Sequence, residues 1–369
     1  MSINLKNISL FVCLIFPLLT NYSYAKDRVQ VGKIIQWHTT NGMKVLFQQA
    51  DTLPMIDFRL IFDAGAARDG SFKSEKGIVL AGLAKLSNGL IFEGTEKLDA
   101  NSIAEQFASL GVVYGNGSYR DMAILNIRTL SYEQQKNDAV DLLTHILSAA
   151  NFPDEALQRE KAIMLQALDF EDQTPSKKAS RYFYESLYSK HPYGTPPTGT
   201  RESLQAIKQK DLINYYQQYY VAKNVVLAIV GNLSEAQAHD YAEKIATAMP
   251  VGEKSAGLPD ALQQSKPIVV RENHPSTQTT VLMGQPVLKR GDKDLYALYI
   301  ANHILGGSGF SSRLMKEVRV KRGLTYSIGS HLVPMHAQGP YQFSFTTKKS
   351  STEEAIKLVE QEMKLFLEQ

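Results

Sequence analysis

Any chemistry in this chain has to come from a short inventory of side chains. Its eight histidines are His38, His145, His191, His239, His274, His303, His331 and His336. None of them falls in H-x-x-E-H or H-E-x-x-H, the spacings that put two imidazoles on one helical face beside a carboxylate. His331 and His336 are the closest pair, five residues apart in a strand or loop without a neighbouring carboxylate, and read as polar surface or packing residues. The single cysteine, Cys13, lies in an apolar leader, so a processed chain would have no thiolate nucleophile, thiolate ligand or disulfide. There is no G-x-S-x-G elbow. Gly306-Gly307-Ser308-Gly309 lacks the Lys-Ser/Thr that would make it a phosphate-binding loop. Taken alone, that loop is a flexible interhelical turn.

The rest of the sequence must fold around whatever site exists. With 369 residues, 44% hydrophobic, 21% charged and a formal charge of +3, the chain has the composition of a soluble globular protein of about two domains. So slight a charge excess does not favour nucleic acid or a membrane surface as partner. Residues 1 to 25 differ from the remainder: Lys6 is the only charge, Leu10 to Leu19 is almost wholly apolar, and Ser23-Tyr24-Ala25 offers small residues for cleavage. This is a signal-peptide pattern, with cleavage near Ala25 and a periplasmic destination. The apolar run is shorter than the roughly 20 residues a bilayer requires, so no stable membrane insertion is expected.

Strand-like runs at Met43 to Gln48 and Ile56 to Phe62 predict neighbouring strands, followed by a helix-period segment from about Ser74 to Ile91. Ser102 to Leu110, Glu133 to Leu147, Asp154 to about Phe170 and Arg201 to Tyr220 read as helices, and Met122 to Leu130 and Val225 to Val230 as strands. Met249 to Lys266, with Pro250, Gly252, Gly257 and Pro259 and no periodicity, reads as a linker. Beyond it Thr279 to Met283, Leu295 to Leu305, Tyr341 to Thr347 and Thr352 to Leu367 repeat the first half in outline. The expectation is an α+β chain of two related domains, 26–248 and 267–369, joined by linker 249–266. Each has a mixed or antiparallel sheet covered by helices. The second is abbreviated, lacking counterparts of the later helices and of the strand at Val225 to Val230, which would leave its sheet with an uncovered apolar face.

Gly82-Leu83-Ala84-Lys85-Leu86-Ser87-Asn88-Gly89-Leu90-Ile91-Phe92-Glu93-Gly94-Thr95 is similar to the helix that carries H-x-x-E-H in the pitrilysin and insulinase zinc metallopeptidases, among them mitochondrial processing peptidase. His191-Pro192-Tyr193-Gly194, Gly199-Thr200, Tyr219-Tyr220, Asn224 to Gly231, Ser312-Arg313-Leu314 and Arg322 to Ser327 extend the resemblance over most of the chain. In that motif two imidazoles hold zinc and a carboxylate polarises the metal-bound water. Here the three positions hold Lys85, Asn88 and Gly89, and the family's later glutamate ligand falls on Gln166. An ammonium repels the cation, and neither Asn88 nor Gly89 supplies a base or an imidazole. The resemblance therefore implies no catalytic residue and no metal in this chain.

It also implies something retained. The family's second half contributes an arginine and a tyrosine, seven positions apart, that hold the substrate backbone and stabilise the tetrahedral intermediate at the other half's zinc; Arg319 and Tyr326 have that spacing. The bland alternative is a solvated helix face at Lys316, Arg319, Lys321 and Arg322 with Tyr326 as a core aromatic. His303 lies in the helix that mirrors the lost site, and Gly306 to Gly309 resembles a substrate-facing glycine loop. The implied function is the non-catalytic subunit of a periplasmic heterodimeric zinc peptidase. Its expected partners are a homologous subunit with intact H-x-x-E-H, which would carry the zinc, and an extended peptide bound by strand addition. The alternative is a peptidase-fold binding or assembly protein with no proteolytic role.

Overall fold

A computed structural model describes residues 32–261 and 266–368. The predicted signal peptide and its cleavage point lie outside the described residues, as do linker positions 262–265. Among the described residues no helix is long and apolar enough to cross a membrane.

Six strands form the first sheet: β1 (Ile35–His38), β2 (Lys44–Gln49), β3 (Met55–Phe62), β4 (Val113–Ser118), β5 (Ala123–Leu130) and β6 (Val225–Gly231), in the order β1-β2-β6-β3-β5-β4. Period-two burial along β3 puts Ile56, Phe58, Leu60 and Phe62 at 0% exposure, each contributing about 1.5–3 kcal/mol by leaving water. Contrary to expectation, β2 and β3 are not neighbours. β6 lies between them, parallel to β2 and antiparallel to β3, because its apolar run is buried only when both of its edges are paired.

Helices α1 (Leu83–Gly89), α2 (Ala100–Ser109), α3 (Glu133–Ala149), α4 (Asp154–Gln173), α5 (Pro175–Tyr188), α6 (Arg201–Ala206), α7 (Gln209–Tyr219) and α8 (Glu235–Thr247) complete the first half. The expected helix from Ser74 shrinks to α1, since Gly77 at φ +78° and Gly82 at φ +92° interrupt the helical path. The expected helix from Arg201 to Tyr220 breaks in two. Ile207 turns extended to bury its side chain, and the Lys161 ammonium caps the freed carbonyls of Gln205 and Ile207 at 3.4 and 3.0 Å.

The second half holds β7 (Gln278–Pro286), β8 (Thr325–Leu332) and β9 (Pro340–Lys348) in the antiparallel order β7-β9-β8, with α9 (Leu295–Asn302) and α10 (Thr352–Leu367). The run expected as one helix to Leu305 passes at His303–Gly307 into a wider π turn. Among the described residues, 250–277 contains no helix or strand. The architecture is α+β, with one mixed and one antiparallel sheet.

The halves are joined by a buried polar clamp. The Tyr193 hydroxyl accepts the Ala337 N–H at 2.9 Å and donates to Asp121 at 3.5 Å, and the same carboxylate accepts the His336 N–H at 2.7 Å. Arg120 donates to the carbonyls of Tyr193 and Thr195 while its guanidinium lies 3.7 Å over the Tyr184 ring. The loop carrying Arg120 and Asp121 is pressed against Gly65, where a Cβ would stand 2.4 Å from the Met122 nitrogen. An apolar cluster of Ala67, Tyr188, Tyr193, Ala261, Met335 and Ala337 surrounds the clamp.

Candidate functional site

The short helix α1 is held at its start by a residue that no local pattern revealed. Asp69, fully buried in a 3-10 turn over Ala66–Ser71, accepts the N–H groups of Gly82 and Ala84, each at 2.8 Å. These are unpaired donors of a helix N-terminus. Ser203 adds a hydrogen bond to the Ala81 carbonyl at 2.7 Å, and Gly199 packs so close that a Cβ there would meet the same oxygen at 2.6 Å. The Gly199-Thr200 pair thus secures the approach to α1.

Burial pushes the Asp69 carboxyl up to about 8, with the N–H bonds from Ala84 and Gly82 offsetting only part of the effect. The folded value exceeds the unfolded one, so the native state keeps a proton that the unfolded chain releases above about pH 4. Stability from this group is full below that pH and is lost as the pH rises through 8. In scanning calorimetry between pH 4 and 8, wild type is expected to lose melting temperature more steeply than Asp69→Asn. Parallel curves would remove Asp69 from the pH dependence.

Along α1, Leu83, Ala84, Leu86, Ser87 and Asn88 are buried, which leaves Lys85 half-buried and Gly89 exposed on one face, four residues apart. Lys85 forms no ion pair among the described residues. The Asn88 carboxamide donates to the Ile124 carbonyl at 3.3 Å and to the Tyr220 hydroxyl at 3.2 Å, and burial raises the Tyr220 phenol. The Asn88 backbone carbonyl accepts the Asn116 side-chain amide at 2.7 Å, and that amide also reaches the Gly89 carbonyl at 3.3 Å. Helix α4 packs on α1 and carries Gln166, exposed and not hydrogen-bonded to the other three residues.

A half-buried ammonium, a carboxamide committed to two structural bonds, a glycine and an exposed amide are not a donor set that fits zinc. Among the described residues no three His, Cys, Asp or Glu side chains converge as a metal site. The histidines are dispersed. His239 stacks on Trp37 at 3.9 Å, His145 meets Thr95, His191 binds the Pro259 carbonyl, and His303, His331 and His336 are exposed.

Beside α1 runs an open groove of about 900 Å³, lined by Gly89, Phe92, Leu98, Tyr114, Asn116 and Arg159 among others. Its wall includes β4, which among the described strands pairs with β5 alone, leaving its other edge open. The sequence reading missed this strand.

In the second half, Arg319 lies in the last turn of a π stretch over Met315–Val320 that packs on β8; its guanidinium lies 4.6 Å from the Phe310 ring. Tyr326, near the start of β8, is 82% exposed, so it is not a core aromatic. Lys321 and Arg322 are engaged by Glu317 at 2.6 and 3.0 Å, as ordinary surface charges are. The turn through Gly306 and Gly307 closes against Ser330 and Asn302, whose side chains are bonded at 2.6 Å.

Residues 45–201 match the family model described as insulinase (peptidase family M16), and residues 206–369 match the peptidase M16 inactive domain. A crystal structure of a peptidase M16 inactive domain from Pseudomonas fluorescens is 36% identical, with a TM-score of 0.87, covering 91% of this chain and 79% of that one. An uncharacterized zinc protease of Rickettsia felis is 25% identical over 339 residues, 92% of this chain and 77% of its own length. A Helicobacter pylori protein named as a non-peptidase homolog is 27% identical over 333 residues, 88% of this chain and 73% of its own. The relatives' names thus include both peptidase and non-peptidase.

Proposed function

The chain belongs to the insulinase (M16) peptidase family, and from that premise we propose that it is the non-catalytic subunit of a periplasmic heterodimeric zinc peptidase. The observation that carries this reading is the composition of α1: Lys85 and Gly89 on the accessible face, with Asn88 turned inward to Ile124 and Tyr220. These residues can neither hold a divalent cation nor take a proton from water. Arg319 and Tyr326 remain as hydrogen-bond donors for a reaction centred on a partner's metal. The peptide is bound in extended form along the open edge of β4, main chain to main chain.

The full processed chain isolated from its native source is expected to come with a homologous subunit bearing H-x-x-E-H, and by itself to carry substoichiometric zinc and no peptidase activity. Elemental analysis and a peptide-hydrolysis assay of the separated chains check this. One zinc per chain together with hydrolysis in the absence of a second protein would overturn the assignment. The name of the Helicobacter relative favours a second reading, a peptide-binding protein that works without any peptidase. Peptide binding with no zinc-bearing subunit recovered would select it.

A further inference from the structure

One group on the accessible face of α1 is left idle by the proposed function. Lys85 is half-buried there and makes neither a hydrogen bond nor an ion pair among the described residues. The two buried lysines of those residues are both satisfied, Lys136 by Glu133 at 2.8 Å and Lys161 by the carbonyls of Gln205 and Ile207. An ammonium drawn part-way out of water without a partner favours any anion that arrives beside it.

Contacts between α1 and β4 fix where that ammonium lies. Helix and strand run in opposite directions: the Phe92 and Tyr114 rings are 5.0 Å apart, and the Asn88 and Gly89 carbonyls accept the Asn116 amide. Two strand residues span about 6.8 Å and four helix residues about 6 Å, so the next match in this series sets Lys85 level with Ser118. The Ser118 hydroxyl is buried and makes no hydrogen bond, so it does not satisfy the ammonium. Gly89, one turn further along the same face, lines the groove beside β4, which places Lys85 at the Ser118 end of that groove. The opposite end, beyond Phe92, has the opposite sign. Glu93, Glu96, Asp99 and Glu155 line it against Lys97 and Arg159, and Arg159 is already bound by Glu93. A carboxylate on a chain lying in the groove is therefore repelled at one end and attracted at the other.

Building on the reading that an extended peptide lies along β4, we propose that Lys85 is a specificity-determining residue whose ammonium binds a carboxylate of that peptide, at its C-terminus or on an acidic side chain. The position that bears the first imidazole of H-x-x-E-H in the family holds a fixed positive charge in this chain. The groove loses its metal but keeps a cationic end, and the peptides it selects are those that bring a carboxylate to Ser118. The main chain of β4 supplies the sequence-independent part of the binding, and Lys85 supplies the choice.

The probes are three acetylated octapeptides of one mixed apolar and polar sequence: the C-terminal acid, the C-terminal amide, and the amide with a single central glutamate. Each is titrated calorimetrically into the full processed chain, and slowed hydrogen exchange over 113–118 reports that β4 is engaged. At least one of the two carboxylate-bearing peptides is expected to bind about tenfold more tightly than the plain amide, and which one does so identifies the source of the carboxylate. Lys85→Met is expected to abolish the preference while still binding the amide, and Lys85→Arg to retain it. Lys44→Met, which removes another half-buried lysine on β2, is expected to leave it unchanged. Melting curves check that each variant folds. Equal affinity for all three peptides, or a preference that survives Lys85→Met, would overturn the role of Lys85 and leave the β4 site standing. If no peptide binds and exchange over 113–118 is unchanged, both readings fall together.

Discussion

Replacing Lys85 and Gly89 with histidine and Asn88 and Gln166 with glutamate in one chain is expected to create a binding site for one zinc ion, with a Kd at or below about 1 μM, or about 8 kcal/mol. The helix already presents positions 85 and 89 on one face, and a Cβ added at Gly89 meets nothing within 4 Å, so an imidazole has room. Gln166→Glu is nearly isosteric on the adjoining, solvent-facing helix. Asn88→Glu carries the main cost: the Ile124 carbonyl loses its donor, at about 1–3 kcal/mol, while the Tyr220 hydroxyl can turn to donate to the new carboxylate. Competition against a chromophoric chelator gives the affinity. Single substitutions are expected to leave the chain without zinc, because one imidazole does not hold the ion. A quadruple variant that melts cooperatively yet binds no zinc would show that α1 and α4 are not set as the resemblance implies.

Much of the fold was legible because local periodicity survives in the final packing. α3, α4 and α10 fall within a few residues of their expected limits, since each buries one continuous stripe. What stayed hidden depended on partners distant in the chain. Nothing around Met43 or Ile56 signals that β6, about 170 residues later, will separate their strands. The acid that fixes α1 lies 13 and 15 residues from the N–H groups it accepts, and isolated acids carry no such signature. α5 went unseen because Tyr182, Phe183 and Tyr184 are only half-buried and the helix packs on β7 of the other half, while its one buried aromatic, Tyr188, joins the cluster around Tyr193. The Tyr193–Asp121–Ala337 clamp is another case. Its His-Pro-Tyr-Gly motif was visible, but the sequence could not say that the hydroxyl would tie the two halves together.

With the zinc-bearing subunit in hand, Arg319→Ala is expected to lower kcat/KM of the assembled peptidase by about 10²–10³-fold, and Tyr326→Phe by a comparable factor or less. The environment of each side chain supports a role toward a ligand. Arg319 lies over Phe310 without a carboxylate partner among the described residues, and the Tyr326 hydroxyl stands in solvent at the start of β8. A donor that acts mainly on the developing oxyanion lowers kcat and leaves KM nearly unchanged, whereas a charge that only attracts peptide changes KM and fades with salt. Lys321→Ala and Arg322→Ala are the matched controls, because Glu317 already holds both cations. They are expected to leave turnover within about twofold, as surface charges do. If Arg319→Ala behaves like these controls, the second half binds peptide without taking part in its cleavage. If kcat alone falls, the loss of the zinc site is a division of labour between two chains, in which this one keeps the donors and its partner keeps the metal.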